Sequence, residues 1–394
     1  MNGKSGPRHA TSMGEKEVNT NISQAPVANS AMIEVVDVHV GGDLHRIVLG
    51  GIKPLRGTTV MSQMEYLKAE GDGLRQFLLH EPRGGHPSLF ADLIVPPAHP
   101  EAHAGFIIME MMGYPLISGT NTMSTAIALL ETGRIPMRDG VCPVTLEAPG
   151  GLVRVQADCE GGKVTKVTYE AQTPSFLADS DLKVDVPGWG IVTFDLVWTG
   201  AFYPIVDATA LGFSLVRDEE EELVRFAKAF VPAARAVCHP VHPEFGEEGP
   251  LSFVVFASPL GHGAHGERQC KVCCYEYPRG SVCRSPAGVP TTSVVVRLLY
   301  RGALNAGERL RSVSIFGTDL QAEITGTTEY FGRQGVRVSV AGVGWITARS
   351  QLIVDFSDPL TPQDGLPALL SGVGSGFGTR GEEMRPAKHG RQHR

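Results

Sequence analysis

An internal repeat of two short apolar segments constrains this chain more than any other feature. SGTNTMSTAIALLETG (118–133) aligns without gaps on AGVPTTSVVVRLLYRG (287–302). Six of sixteen positions are identical: Gly119/Gly288, Thr122/Thr291, Ser124/Ser293, Leu129/Leu298, Leu130/Leu299 and Gly133/Gly302. Each segment opens with a small residue followed by Gly and closes with Gly. Asn121–Thr132 and Thr291–Tyr300 are apolar nearly all round, which predicts helices buried on every side. Strand-like sequence follows each one. Chance likeness between two apolar helices is the competing explanation. A duplication explains more, because it yields two similar lobes, each with a central helix wrapped by strands. The repeat is far too long for a solenoid.

Other segments fit that layout. MIEVVDVHVGGDLHRIVLGG, beginning at Met32, reads as two short strands broken by Gly-Gly. VTLEAPGGLVRVQADCEGGKVTKVTYEAQTP and TDLQAEITGTTEYFGRQGVRVSVAGVGWITARSQLIVDF alternate apolar and polar residues around glycines, the pattern of a meander. A length of 394 residues suits two domains, and a hydrophobic content of 42% supports a sizeable core. The expected organisation is a disordered leader over 1–31 and a first lobe over 32–190 that takes a closing segment from the C-terminal region. A second lobe follows over 191–360, then a C-terminal segment and loose tail over 361–394.

Several function classes find no support. A net charge of −7 argues against a general nucleic-acid binder. No stretch approaches the ~18–20 apolar residues of a membrane span. The leader is polar and lacks an apolar signal core. With no secretory signal, the seven cysteines are expected to be free thiols in a reducing, cytoplasmic setting. Cys270, Cys273 and Cys274 cluster in CKVCC, but no second Cys or His pair completes a zinc site, so buried strand thiols are expected and no metal. His39, His45, His86, His239 and His242 form no HExxH pattern. No GxGxxG opens a helix, and RSPAG around Ser285 is not a G-x-S-x-G elbow. No cofactor is expected.

The two helix starts carry the chemistry. A helix N-terminus exposes unpaired N–H groups and the positive end of the macrodipole. Gly in the first turn lets the backbone approach an anion closely. Two such starts facing each other across a cleft would grip a carboxylate, and the residue before each Gly would flank the α-carbon. A thiol or hydroxyl there could move the α-proton. Two bases on opposite faces allow inversion, whereas one base and a β-leaving group allow elimination.

At these residues the sequence resembles the proline racemase family, which includes proline racemases, 4-hydroxyproline 2-epimerases and trans-3-hydroxyproline dehydratases. The resemblance spans about Ile33 to Leu360. Its landmarks are DVHVGGDLHRIVLGG, EPRGGHPSLFADLIVPP, GFIIMEMMGYPLISGTNT, TGAFYPIVDA, HPVHPE, CRSPAG and GVGWIT, in family order and at family-like spacing. It implies an α/β (α+β) fold of the diaminopimelate-epimerase type, two barrel-like lobes that each wrap a helix. It also implies a small carboxylic or imino acid as the ligand. Analogy alone suggests a homodimer.

The catalytic positions depart from the family pattern. The Cys or Ser expected before the first helix is Ser118, the candidate acid/base, which as a serine needs strong environmental help. The second motif reads Cys283-Arg284-Ser285-Pro286-Ala287-Gly288-Val289-Pro290. Ala287 cannot transfer a proton, and Pro290 lacks an N–H. Thr120 and Cys283 stand where the resemblance implies a His and an Asp touching the substrate amine. Cys283 is the second catalytic candidate. Gly119, Thr120, Gly288 and Val289 can still offer N–H groups to a carboxylate. Asn121 is expected to line the pocket or cap the helix. Phe202, beside Tyr203, is a candidate substrate contact or a core residue, and Asp207 a candidate brace. The expected reaction is α-proton abstraction from a proline-like or hydroxyproline-like acid, ending in dehydration of the trans-3-hydroxyproline type. Racemisation or epimerisation with Cys283 or water as second acid, and a non-catalytic small-acid-binding role, are the alternatives.

Overall fold

The computed structural model describes residues 30–80, 85–171 and 173–371. The expected leader (1–31) lies almost entirely outside these residues, as does most of the expected tail.

The first lobe contains β1 (Ser30–Val40), β2 (Asp43–Gly50), α1 (Val60–Glu70), α2 (Gly73–Leu79), β3 (Leu89–Val95), β4 (Ala104–Met109), α3 (Gly119–Glu131), β5 (Gly140–Ala148), β6 (Gly151–Glu160) and β7 (Lys163–Glu170). The second contains β8 (Phe176–Val186), β9 (Gly190–Trp198), β10 (Phe202–Asp207), α4 (Glu220–Val237), β11 (Phe253–Ala257), β12 (Gly261–His262), β13 (Arg268–Glu276), α5 (Gly288–Tyr300), β14 (Arg309–Val313), β15 (Asp319–Tyr330) and β16 (Arg333–Gly342). β17 (Gly344–Asp355) then returns to the first lobe, and α6 (Leu366–Leu369) follows it.

The two lobes share one wiring. Strand order in the first is β17-β1-β2-β3-β4-β5-β6-β7, antiparallel except for the parallel steps β2–β3 and β4–β5. In the second it is β8-β9-β10-β11-β13-β14-β15-β16, with parallel steps at β10–β11 and β13–β14. α3 enters between β4 and β5, and α5 enters between the matching β13 and β14. A parallel step needs a crossover, and these helices are the crossovers. The lobes join edge to edge through β7 and β16. β8, from Phe176, already belongs to the second lobe, ahead of the expected boundary at 190, because it pairs with β9. The Gly/Pro-rich 187–190 stretch is a hairpin turn within one sheet, not a linker.

α3 is buried from Gly119 to Leu130, and α5 buries Val294, Val295 and Val296. Both contribute to one continuous core. The outer faces of the sheets are covered separately. α1, α2 and α6 pack on the first lobe. α4 packs Leu223, Phe226 and Phe230 on the second. The reading from sequence assigned no helix to these outer layers. α1 is fixed by a reciprocal cap between Thr59 and Ser62. α4 carries Glu220, Glu221 and Glu222 in its first turn and Arg235 in its last, which suits the helix dipole. The CKVCC thiols lie buried in β13, with Cys270 and Cys274 in the central core and Cys273 in the outer one. Strand alternation accounts for the division.

Candidate active site

A cavity of about 340 Å³ opens between the starts of α3 and α5. Ser118, Gly119 and Thr120 line one side, and Cys283, Ala287, Gly288 and Val289 line the other. Six sequence-derived candidates (Ser118, Cys283, Gly119, Thr120, Gly288 and Val289) therefore meet in one cleft. Neither helix start carries a side-chain cap, so the first-turn N–H groups are left for a ligand.

Three candidates, Phe202, Asn121 and Asp207, lie elsewhere. Phe202 is 3% exposed and packs against Trp198 in the outer core under α4. Its neighbour Tyr203 faces the cleft, because successive residues of β10 point to opposite faces. Of the two roles left open for Phe202, it takes the core one, and Tyr203, named with it, lines the cleft. Asn121 is fully buried behind the cleft wall. Asp207 accepts from the N–H groups of Thr209 and Ala210 and braces a turn.

Ser118 has extended backbone and leads directly into α3. Its Oγ lies 2.7 Å from the Asn121 side-chain amide. With Oδ1 accepting from Ser118, the Asn121 Nδ2 donates to His45 Nδ1 at 3.0 Å and to Asp92 at 3.0 and 3.1 Å, which satisfies both ends of the Asn121 amide. His45 and Asp92 are both fully buried, on β2 and β3. Burial holds the His45 imidazole down at about 3, so it stays neutral. Burial, and then the charge of Glu110, raises the Asp92 carboxyl.

The opposite start is built differently. Ala287 precedes α5 with φ of 58°. Non-glycine residues rarely adopt positive φ, and such strain tends to sit at functional sites. A strap from the first lobe holds it. Asp43 Oδ1 accepts from the N–H groups of Arg284 at 2.9 Å and Ser285 at 3.0 Å. Ser285 Oγ donates to Asp43 Oδ2 and accepts from the Ala287 N–H at 2.8 Å. The turn that delivers Asp43 needs Gly42, which has φ of +105° and lies so close to the Arg284 carbonyl that a Cβ would meet it at 3.0 Å. The GGD and RSPAG motifs are thus two halves of one contact.

Charged cleft residues escaped the sequence reading. Glu110 directly follows β4 and Glu276 ends the matching β13, so they occupy equivalent places in the two lobes. Arg279 lies between them, 3.2 Å from Glu276 Oε2 and 3.7 Å from Glu110 Oε2, with its side chain 2% exposed. Its guanidinium lies over the Phe90 ring and donates to the Cys283 thiol. Burial, and then the like charge of Glu276, pushes the Glu110 carboxyl up to about 8, with Arg279 opposing. A single carboxylate closing an apolar strand, as in GFIIME and CCYE, was the available signal. Tyr169 was also missed. Its hydroxyl is buried without a partner, and a Cβ added to Gly119 or Gly288 would meet it at 2.3 or 2.5 Å. Both first-turn glycines are therefore required by one side chain that strand periodicity does not reveal.

Two lobes of identical wiring, with a small-molecule cleft between paired helix starts, define the diaminopimelate-epimerase-like architecture. The chain belongs to the proline racemase family, whose model, described as Proline racemase, matches residues 35–365. A protein of Marinobacter nauticus is 41% identical over 339 residues, covering 86% of this chain and 96% of its own length. A 4-hydroxyproline 2-epimerase of Agrobacterium fabrum is 32% identical over 330 residues, covering 83% and 93%. The crystal structure of a hydroxyproline epimerase from Agrobacterium vitis, with bound trans-4-hydroxy-L-proline, matches with a TM-score of 0.73 at 30% identity, covering 84% and 94%. Among the described residues, no helix is long and apolar enough to cross a membrane.

Proposed function

We propose that this protein removes the α-proton of a proline-like or hydroxyproline-like acid without a cofactor, with Ser118 as the base, and completes the reaction by eliminating a β-hydroxyl. One observation carries the reading. Of two equivalent helix starts, only that of α3 is preceded by a side chain able to transfer a proton, because Ala287 occupies the matching place. The first-turn N–H groups of Gly119, Thr120, Gly288 and Val289 would bind the carboxylate. As the proton leaves, charge grows on the carboxylate oxygens, and fixed N–H dipoles stabilise it without reorganising. When the β-hydroxyl departs, the second face of the α-carbon needs no proton, so the missing base at 287 costs nothing. Such a reaction is a trans-3-hydroxyproline dehydration.

Epimerisation is the second reading. Cys283 lines the same cleft and could deliver a proton to the opposite face, and a relative named 4-hydroxyproline 2-epimerase is 32% identical. A cytoplasmic setting accords with seven free thiols. Proton NMR in D2O, with trans-3-hydroxy-L-proline, trans-4-hydroxy-L-proline and L-proline, decides between the readings. Conversion of the 3-hydroxy acid to a dehydrated product, lost in Ser118→Ala, is expected. α-Deuterium with inversion would instead select epimerisation, and Cys283→Ala should then abolish it. No exchange on any of the three would remove both readings in favour of a binding protein.

A further inference from the structure

A serine hydroxyl cannot take a proton from an α-carbon unless its own proton has somewhere to go. His45, the buried imidazole behind Asn121, stays neutral and already accepts from the amide, and an amide does not readily pass protons on. The group that could receive the proton must share the cleft with Ser118, lie close to it and be ionisable. Among the described residues, Glu110 meets all three conditions. Its carboxyl lines the same cavity. Its Oε1 lies 3.4 Å from Asn121 Oδ1, the oxygen that accepts from Ser118 Oγ at 2.7 Å, so hydroxyl and carboxyl flank one oxygen atom. A tight turn holds it there, with the Glu110 N–H donating to the Gly113 carbonyl at 2.8 Å and the Gly113 N–H returning to Glu110 at 3.0 Å.

We infer that Glu110 is the proton acceptor for Ser118, making the two a paired base at the start of α3; this rests on Ser118 being the base of the proposed reaction. In the step, Ser118 Oγ takes the α-proton while its own proton passes across one water to the Glu110 carboxylate. The C–H electron pair moves into the enediolate held by the helix starts. In an elimination, that pair forms the Cα–Cβ double bond and the Cβ–O pair leaves with the Glu110 proton as water. Serine ends as hydroxyl and Glu110 as carboxylate, so the site is reset with no other reactant.

The ionisable groups around Glu110 are Asp43 from β2, Asp92 from β3, Tyr203 from β10, Glu276 at the end of β13, and Arg279 and Cys283 from the loop that follows it. Three of these are carboxylic acids and one is a fixed cation, which suits a carboxyl that titrates near neutrality. The active form is the ionised one, so kcat/KM should rise with pH toward about 8.

The test is the pH profile of dehydration of trans-3-hydroxy-L-proline and of α-deuterium exchange into trans-4-hydroxy-L-proline by the wild type, Glu110→Gln and Ser118→Ala. Glu110→Gln should lower kcat by about 100-fold or more, leave KM within about twofold and flatten the alkaline rise. A raised KM with kcat and the pH slope intact would make Glu110 a substrate contact and overturn the inference. If the wild type neither dehydrates the first acid nor exchanges the second, the reaction is misread, and carboxyl-13C NMR of the protein alone decides for Glu110. A Glu110 resonance with a midpoint near 8 that moves in Ser118→Ala supports the pairing. One that titrates as an ordinary exposed glutamate, unaffected by Ser118→Ala, removes it.

Discussion

Tyr169 shows how one side chain can dictate two distant glycines. Gly288→Ala would place a Cβ 2.5 Å from the Tyr169 hydroxyl but 3.4 Å from the nearest ring atom. It should cost about 1–3 kcal/mol of stability by overpacking, and Tyr169→Phe in the same chain should restore most of that. Gly119→Ala differs, since its Cβ would also meet ring carbons at 2.6 and 2.8 Å. Removing the hydroxyl should not rescue it. Urea unfolding of the single and double variants would check both outcomes. Ala287→Cys provides the functional counterpart, because it supplies a second acid opposite Ser118. It should raise inversion of trans-4-hydroxy-L-proline relative to elimination of the 3-hydroxy acid, read by chiral chromatography. Ser118 and the glycines were legible because the helix repeat aligned them, and Cys283 because CRSPAG resembles the second motif of the family. Glu110, Arg279 and Tyr169 were not, because each lies outside the repeated helices and matters through contacts that only the fold brings together.

At the scale of elements, α5 is tied to its sheet by a buried ion network as well as by apolar packing. Asp195 on β9 is 3% exposed and accepts from Arg297 Nε at 2.7 Å, Arg301 Nη2 at 2.6 Å and the Asp181 N–H at 3.0 Å. Both arginines lie on or just after α5 and reach solvent. Asp195→Ala should therefore cost about 1.5–3 kcal/mol, the range for hydrogen bonds to a charged group, rather than the larger cost of stranding a buried cation. Denaturant unfolding measures this directly. Because α5 supplies one wall of the cleft, the same variant should weaken carboxylate binding more than Ser118→Ala does, measured by calorimetric titration with trans-4-hydroxy-L-proline. α3 and α5 could be found from sequence because they are apolar on every face. α1 and α4 serve the matching crossovers β2–β3 and β10–β11 but pack only one face, so the same criterion passed over them.

Across the whole molecule, buried titratable groups set how stability follows pH. The Glu110 carboxyl is raised from 4.5 to about 8, so its contribution is fully present below 4.5 and is lost as pH rises through 8. The His45 imidazole is lowered from 6.5 to about 3, so its contribution is present above 6.5 and is lost as pH falls through 3. Between pH 4.5 and 6.5 the two trends oppose each other. Asp43 and Asp92, both raised by burial, steepen the loss at higher pH. Thermal unfolding should show a fall in Tm from pH 6.5 to 8 that Glu110→Gln reduces, and an acid-side fall toward pH 3 that it leaves in place.

The sequence by itself determined the duplicated helices, the strand-rich lobes around them, and which positions begin each helix, because periodicity and glycine placement are local properties of the chain. The same local pattern exposed the loss of a second base at Ala287. Tertiary structure decided which residues share the cleft with those helix starts. Asp43 reaches the loop before α5 across 241 residues of chain, and the matching strands β4 and β13 bring Glu110 and Glu276 to either side of Arg279. Their burial together sets which carboxyls hold protons near neutral pH, a collective electrostatic property that no segment carries alone.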